Sequence, residues 1–294
     1  MATISSESFE EPPKSVNSML GASSTGLWMK ITSKRAFADT TRGQIHYRTL
    51  GSGKPVVLLH QTPRSSDEYL EVLGYLGQRF KAFAMDTIGF GDSYTPQRAC
   101  TIEDYAEGVI DFLDALGIQS TSLVGHHTGS VIALEVAASY PNRVKRLVLS
   151  ACPYYDDTRR RELEGKPVMD ADEVKEDGSH LVSLWQRRMS FYPPRRPDLL
   201  TRFMADALVA GENRVQGHKA VRDYRMEDRY EKISCPTLLI CGTADPFAYP
   251  VLPKVAQKIK TSRTFSIPGG TVALPDQMPK EFSEAIMSFL NESI

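Results

Sequence analysis

The pattern of apolar and polar positions predicts alternating strands and helices over most of the chain. From residue 55 onward, short apolar runs are separated by longer segments whose apolar residues recur at helical spacing. Continuously apolar runs of this length are typical of strands buried on both faces of a parallel sheet. We predict strands at 44–50, 55–60, 81–86, 123–126, 144–150, 236–241 and 263–267, and helices at 66–79, 102–116, 131–138, 251–259 and 282–290.

This alternation is interrupted between residues 153 and 232. The segment is polar and irregular, and it contains no run that would form a buried strand. We interpret it as a helical cap inserted over the carboxyl ends of the strands, where ligands bind in open α/β sheets. The predicted organisation is therefore an N-terminal arm at 1–30, a core at 31–152 and 233–294, and a cap at 153–232.

Composition and charge favour a small molecule as the partner. The 294 residues, 41% of them hydrophobic, can fill the core of one α/β domain with an insertion. The chain has 35 Lys and Arg against 36 Asp and Glu, so its field would not gather nucleic acid or an anionic membrane. The first 30 residues lack the apolar run of a secretory signal, and a cytoplasmic location is expected. We expect no cofactor. A homodimer is compatible with the sequence.

The most informative stretch is 123–130, where an apolar strand turns sharply into a helix with a glycine on each side of one exposed position. It resembles the nucleophile elbow of the α/β-hydrolase superfamily, written G-x-S-x-G, in which the middle residue projects above the sheet. Here the middle residue is His127. An imidazole cannot replace a serine in acyl-enzyme chemistry, which needs an activated oxygen or sulfur with a base beside it.

Three further motifs carry the same resemblance, which extends from about residue 36 to the C terminus. Residues 60–63 stand where the family has H-G-x-P, residues 86–93 match its D-x-x-G-x-G-x-S loop, and residues 242–245 match the strand end that delivers the triad acid. The likeness is to capped members such as epoxide hydrolases, C–C hydrolases and lactonases. It implies a mostly parallel central sheet flanked by helices, with an inserted helical cap.

The resemblance also assigns roles to individual residues around the elbow. The backbone N–H groups of Thr62 and Thr128 inherit the oxyanion-binding role, and Gln61 adds an amide where the family has glycine. His60 corresponds to the usual loop histidine, a hydrogen-bonding support. When the family's P-G-x-G-H motif is aligned, Val272 stands where the triad histidine should be. The chain therefore lacks both the usual nucleophile and the usual base.

These substitutions lead to a hypothesis about the chemistry. We expect His127 to reach into the volume beside Val272 and to hydrogen-bond Asp245, giving a dyad in which the carboxylate raises the basicity of the ring. Such a base suits elimination, cyclisation, decarboxylation or water attack on an ester or lactone. We predict a hydrolase, or an enzyme with a lyase or cyclase step, that acts on a small carbonyl-bearing metabolite without a Ser-His-Asp triad.

Other interpretations of the same residues remain open at this point. The site could be degenerate, so that the protein binds a ligand as a receptor-like relative without turnover. Ser130 or Ser93 could act as an ordinary nucleophile, although Ser130 lies a turn into the helix. Adjacent His126 and His127 point to different sides of a strand and have no further ligand at suitable spacing, so no metal is expected.

Apolar and aromatic residues of the cap are candidates for the pocket wall, because a cap over a sheet must present some side chains to the cavity between them. For any single one, packing of the cap onto the sheet is an equally simple explanation. The candidates are Trp185, Met189, Phe191 and Tyr192.

Overall fold

Eight strands form one mostly parallel sheet with helices on both faces, which confirms the predicted fold class. The structure is a computed structural model that describes residues 33–292, so the predicted arm at 1–30 lies outside the described residues. The strands are β1 (Lys34–Thr40), β2 (Gly43–Leu50), β3 (Pro55–Leu59), β4 (Lys81–Met85), β5 (Thr121–His126), β6 (Val144–Ser150), β7 (Thr237–Gly242) and β8 (Ser262–Ile267). Their order is β1-β2-β4-β3-β5-β6-β7-β8, with β2 antiparallel to both β1 and β4 and the other neighbours parallel.

The helices alternate with these strands along the chain. They are α1 (Leu70–Leu76), α2 (Ile102–Ala115), α3 (Thr128–Ser139), α4 (Asp157–Leu163), α5 (Ser179–Met189), α6 (Pro197–Ala210), α7 (Asn213–Asp223), α8 (Leu252–Lys258), α9 (Leu274–Gln277) and α10 (Pro279–Leu290). Helix α2 begins at Thr101, which forms a reciprocal capping box with Asp104. Within residues 33–292, no helix combines the length and apolarity that crossing a bilayer requires.

The central strands of the sheet are buried on both faces. Successive residues of a strand point to opposite faces, so neighbours in the chain pack in different layers. Val57 of β3 and Leu123 of β5 pack in one apolar layer with residues of α2 and α3. Val56 and Val124, their neighbours in the chain, pack in the other layer with residues of α1 and α10. This two-sided burial explains the continuously apolar runs.

Three elements differ from the sequence-based expectation, one of them the short helix α9, which was not predicted. The helix predicted at 66–79 is a short 3₁₀ turn, Ser66–Tyr69, followed by α1, which ends at Leu76. Strand β1 was not predicted, because it lies at the edge of the sheet and buries only Ala38 completely, so it carries no apolar run.

Helices α4 to α7 lie between β6 and β7, in the segment 153–232 that we call the inserted segment. Helices α5 and α6 and the turn between them share a small apolar cluster, formed by Leu184, Tyr192, Leu199, Leu200, Phe203 and Ala207, together with Ala273 from the core. The inserted segment therefore has its own buried side chains in addition to those that meet the sheet.

Candidate active site

The elbow holds His127 in a strained backbone conformation between β5 and α3. Its φ is 46° and its ψ is −113°, a region that a residue with a side chain rarely adopts. The glycines on either side are required by close approach. A Cβ atom at Gly125 would lie 2.1 Å from the carbonyl oxygen of Gly129, and one at Gly129 would lie 2.0 Å from that of Leu59. The tight turn therefore depends on both glycines.

The structure brings His127 and Asp245 together. The ring Nε2 of His127 lies 2.8 Å from Oδ2 of Asp245, and the exposed fraction of the two side chains is 15% and 0%. The contact is close but bent, because the two atoms do not meet the angular requirement of a hydrogen bond. The other oxygen, Oδ1, accepts hydrogen bonds of 2.9 Å from the N–H groups of Phe247 and Ala248.

Asp245 is held as a carboxylate by its surroundings. Burial would raise its pKa, but the positive charge of His127 and the two backbone donors outweigh burial and lower the pKa to about 2. Its negative charge therefore persists at neutral pH and faces the imidazole of His127.

The neighbouring His126 is a neutral structural residue. It is fully buried, its Nε2 lies 2.9 Å from the carbonyl oxygen of Val272, and its Nδ1 lies 2.9 Å from Oγ of Ser150. Because a carbonyl only accepts, Nε2 carries the proton and Nδ1 accepts from the serine hydroxyl. Burial, followed by the charge of His127, lowers the pKa of His126 to about 3. Both ring nitrogens are used within the fold.

Acidification from about pH 7 to about pH 5 is expected to destabilise the fold through His126. The unfolded chain has a histidine pKa of about 6.5 and binds more protons than the folded chain, whose His126 pKa is about 3. The contribution of neutral His126 to the free energy of unfolding is therefore fully present above about pH 6.5. It is lost as the pH falls, at about 1.4 kcal/mol per pH unit for one proton. Urea unfolding at several pH values would measure the slope.

The same titration of two variants isolates the contribution of His126. His126→Gln is expected to flatten the slope by close to one proton, because glutamine does not titrate. His180→Ala removes an imidazole of the inserted segment that accepts from the N–H of Lys175, and it serves as the control variant. Equal slopes for wild type and His126→Gln would show that His126 is not held neutral.

The loop after β3 and the start of α3 present two backbone donors to one cavity. Thr62 and Thr128 both line this cavity together with His127. Among residues 33–292, no hydrogen bond uses the N–H of either threonine. His60 supports the loop, since its Nδ1 donates to the carbonyl of Gln61 and its Nε2 accepts from the N–H of Thr87 at 3.0 Å. Burial lowers the pKa of His60, which keeps it neutral.

Gln61 lies in the loop after β3, and its position is fixed by Glu68 of the following 3₁₀ turn. Its side-chain Nε2 donates to Oε1 of Glu68 at 2.6 Å, and its backbone N–H donates to Oε2 at 2.9 Å. Nε2 also lies 3.4 Å from the carbonyl oxygen of Val272. The donors of the amide are thus directed away from a ligand, while Gln61 as a residue lines the cavity.

The cavity has a volume of about 230 Å³ and lies between the core and the inserted segment. Core residues contribute Gln61, Thr62, His127, Thr128, Phe247 and Val272. The inserted segment contributes Pro153, Tyr155, Arg159, Leu163, Pro167, Val168, Met169, Arg188, His218, Val221 and Arg222. Five residues expected at the site, Gln61, Thr62, His127, Thr128 and Val272, therefore line one space, whereas Asp245 and His60 are not among its lining residues.

The four candidates from the inserted segment lie elsewhere. Trp185, Phe191 and Tyr192 pack in the apolar cluster of the inserted segment, and the side chain of Met189 is 56% exposed. None of them is among the residues that line the cavity. Helical spacing located them on apolar faces, but it does not distinguish a face that packs on a neighbouring helix from one that meets a ligand.

The two serines considered as nucleophiles have their hydroxyl groups engaged. Oγ of Ser130 donates to the carbonyl oxygen of His127 at 2.6 Å and is not exposed. Oγ of Ser93 donates to the carbonyl oxygen of Asp86 and accepts from the N–H of His46. Neither serine lines the cavity. These hydroxyls serve the turn and the loop that hold the site.

One group of His and Asp side chains lies close enough to be considered for a metal. It comprises His46, Asp86 and Asp92. Nε2 of His46 already lies 3.1 Å from Nε of Arg35, whose cationic guanidinium opposes a metal ion. Asp86 contacts Nδ1 of His46 at 2.8 Å and accepts the N–H of Asp92 at 2.9 Å. The group is a hydrogen-bonded support for the 86–93 loop.

A cluster of charged residues in the inserted segment was missed by the sequence analysis. Arg188 and His218 line the cavity with His127, and both contact the buried Asp170. Their separations in the chain follow no local motif. The only signal available was the occurrence of an arginine within an otherwise amphipathic helix, which is common on solvent-exposed faces.

Comparison with known proteins agrees with this fold. Residues 54–271 match the family described as alpha/beta hydrolase fold, and the chain belongs to this family. An enol-lactonase from Burkholderia xenovorans superposes with a TM-score of 0.74 at 19% identity over 87% of this chain and 100% of that chain. An esterase from Exiguobacterium antarcticum gives a TM-score of 0.75 at 19% identity over 88% and 100%. At these identities the likeness shows the fold alone.

Relatives in sequence include hydrolases. Haloalkane dehalogenase 2 of Mycobacterium tuberculosis is 35% identical over 112 residues, which are 38% of this chain and 39% of that protein. An uncharacterized protein of the same organism is 35% identical over 103 residues, 35% of this chain and 30% of that protein. The (E)-2-((N-methylformamido)methylene)succinate hydrolase of Acinetobacter baylyi is 23% identical over 68% of this chain and 76% of its own. The chain thus matches less than half the length of the mycobacterial relatives.

Proposed function

We propose that this protein is an enzyme that uses His127 and Asp245 for non-covalent acid/base catalysis on a small carbonyl-bearing metabolite. The reaction is hydrolysis of an ester or lactone, or a lyase or cyclase step, and it proceeds without a Ser-His-Asp triad. One observation carries the proposal. An imidazole at the elbow lies 2.8 Å from a buried carboxylate and lines the cavity.

The geometry supports a defined role for each ring nitrogen of His127. Nε2 faces Asp245, so Nδ1 is the nitrogen that takes a proton from water or substrate. In hydrolysis, water loses a proton to Nδ1 as its oxygen adds to the carbonyl carbon. The resulting oxyanion accepts hydrogen bonds from the N–H groups of Thr62 and Thr128. Collapse breaks the bond to the leaving oxygen, which receives the proton back from His127.

The same groups support the lyase and cyclase alternatives. Proton abstraction beside a carbonyl yields an enolate, whose negative oxygen is stabilised by the same two backbone donors. The relatives support hydrolysis over these steps, since their names describe a dehalogenase and a succinate-derivative hydrolase. All of these reactions use His127 as the general base, and the experiments below test this role.

The absence of a covalent intermediate is the property that tests the proposal. With 4-nitrophenyl acetate and a panel of lactones, we expect steady turnover without a burst, no acyl adduct by mass spectrometry and a solvent deuterium isotope effect above unity. A fluorophosphonate should neither label nor inhibit the protein.

Two other results would replace the proposal with a different function. Stoichiometric labelling of a serine, lost in Ser130→Ala or Ser93→Ala, would establish ordinary serine catalysis. Ligand binding without turnover of any ester or lactone in the panel would favour a receptor-like relative. An acyl group found on His127 itself would indicate nucleophilic catalysis by the imidazole instead of general base catalysis.

A further inference from the structure

A buried guanidinium is held in the wall of the cavity by residues from three parts of the inserted segment. Arg188 lies in α5, and its Nε donates to Oδ1 of Asp170 at 2.9 Å. One terminal nitrogen, Nη2, donates to Oδ2 of the same carboxylate and lies 3.2 Å from Nε2 of His218 in α7. The Arg188 Cζ also lies 4.7 Å from the centre of the Phe203 ring in α6. These contacts fix the plane of the guanidinium.

The backbone around Asp170 is shaped to present its carboxylate to Arg188. Asp170 has a φ of 64°, in the left-handed region that residues with side chains rarely adopt. Nε of Arg214 donates to the carbonyl of Asp170 at 3.2 Å and helps to hold this conformation. The side chain of Asp170 is fully buried, but hydrogen bonds from His218 and Arg188 and the charge of Arg188 outweigh that burial and hold its pKa well below the usual range. Strain of this kind persists where surrounding contacts determine it, often at a ligand site.

The guanidinium retains unused donor capacity on the side of the cavity. Nε and Nη2 are bonded to Asp170, whereas no hydrogen bond among residues 33–292 uses the other terminal nitrogen, Nη1. Arg188 nevertheless lines the same cavity as His127. Nη1 therefore offers two N–H donors in a site that is mostly shielded from water.

The composition of the cavity wall favours an anion. Arg159 and Arg222 line it as well, which gives three guanidinium groups. Arg159 pairs with Glu162 and Arg222 with Asp223 nearer the surface, so Arg188 is the buried member of the three. The described residues contribute no aspartate or glutamate to the lining. The pKa of His218 is lowered, first by burial and also by the charges of Arg188 and His127, so a further cation is disfavoured there. A planar guanidinium that is already oriented matches the geometry of a carboxylate.

We propose that Arg188 binds a carboxylate group of the substrate and thereby places its reacting carbonyl group beside His127. This inference rests on the proposed function for the role of His127, and it adds the substrate class, a carboxylic acid derivative. The carboxylate accepts hydrogen bonds from Nη1 of Arg188, while Asp170 neutralises the opposite edge of the same guanidinium. The anion thus binds a fixed donor group instead of a mobile surface charge.

Binding of a matched acid and amide tests the inference without any turnover. Phenylacetate and phenylacetamide differ in charge but little in shape, and calorimetry can measure their dissociation constants. We expect the wild type to bind phenylacetate more tightly. Arg188→Met should weaken phenylacetate about 10- to 100-fold and leave phenylacetamide nearly unchanged, as loss of a charge-assisted hydrogen bond implies. Arg196→Met removes an arginine that pairs only with Asp198 and does not line the cavity, and it should change neither constant.

Two further variants distinguish loss of the binding group from a folding defect. Removing Arg188 alone leaves Asp170 buried without its main partner. The double variant Arg188→Met with Asp170→Asn removes both charges, and Arg188→Lys retains the positive charge without the planar fork. Both should fold as judged by circular dichroism and should still lose the preference for phenylacetate. A preference that survives in either folded variant would overturn the inference, as would equal binding of acid and amide by the wild type.

The outcome separates this inference from the proposed function. His127→Ala should retain the preference for phenylacetate, because the guanidinium site does not depend on the base. If phenylacetate binds through Arg188 but no ester or lactone is turned over, the proposed function fails and the anion site stands. If 4-nitrophenyl butyrate and the 4-nitrophenyl monoester of succinate are hydrolysed with equal kcat/KM, and Arg188→Lys lowers neither, the anion site fails and the proposed function stands.

Discussion

Replacement of His127 with alanine is expected to lower kcat/KM for an accepted ester or lactone by about 10²- to 10⁴-fold. The reason is that the variant loses the imidazole that lines the cavity and contacts the carboxylate of Asp245. The backbone donors of Thr62 and Thr128 remain, so binding of a neutral ligand should change little. Steady-state kinetics with purified protein would measure the effect.

Two companion variants show whether the loss comes from the proposed dyad. Asp245→Asn keeps the size of the side chain but removes the negative charge that faces the ring of His127, and it should also reduce kcat. His180→Ala removes an imidazole that does not line the cavity and should leave turnover within a few-fold of the wild type. Full activity in His127→Ala would contradict the mechanism, whatever the result for Asp245→Asn.

Arg64→Met is expected to lower the free energy of unfolding by about 3 to 5 kcal/mol, the largest effect on stability that we predict. Arg64 is fully buried. Its Nε donates to Oδ2 of Asp206 in α6 at 2.6 Å, and one terminal nitrogen donates to the buried Asp276 in α9. The side chain therefore joins the inserted segment to the core. Without it, Asp276 is a buried carboxylate that has lost its main counter-charge.

Urea unfolding of three proteins would identify the cause of this destabilisation. Arg196→Met, which removes an exposed pair with Asp198, should change the free energy of unfolding by no more than about 0.5 kcal/mol. Adding Asp276→Asn to Arg64→Met should restore part of the lost stability, because the orphaned charge is removed. No recovery in the double variant would mean that lost packing around Arg64, and not the unpaired charge, dominates.

The strands of the sheet and the order of the elements could be predicted from the sequence, because they depend on local patterns of apolar residues. An apolar run such as 55–60 indicates burial on two faces, and a glycine pair around one position indicates a tight elbow. The structure bears out the predicted alternation of strands and helices, which begins at β3. Strand β1 was not predicted, because an edge strand buries too few side chains to produce an apolar run in the sequence.

Only part of the candidate site could be predicted from the sequence. The absence of the usual histidine at Val272 and the retained acid at Asp245 could be seen by aligning motifs, and both residues lie beside His127. Helical spacing could not identify which faces of the inserted segment meet the cavity. Trp185 and Met189 show this, because the first packs within the segment and the second is largely exposed.

The sequence by itself determined the α/β fold, the elbow and the identity of the titratable residue at its tip, since each depends on residues that are neighbours in the chain. Only the tertiary structure decided that Arg188 faces the cavity with Asp170 behind it, and that Arg64 joins Asp206 to Asp276. These contacts connect residues 18 to 212 positions apart. Burial makes such charge pairs mutually dependent, and no local periodicity records which distant partner compensates a buried charge.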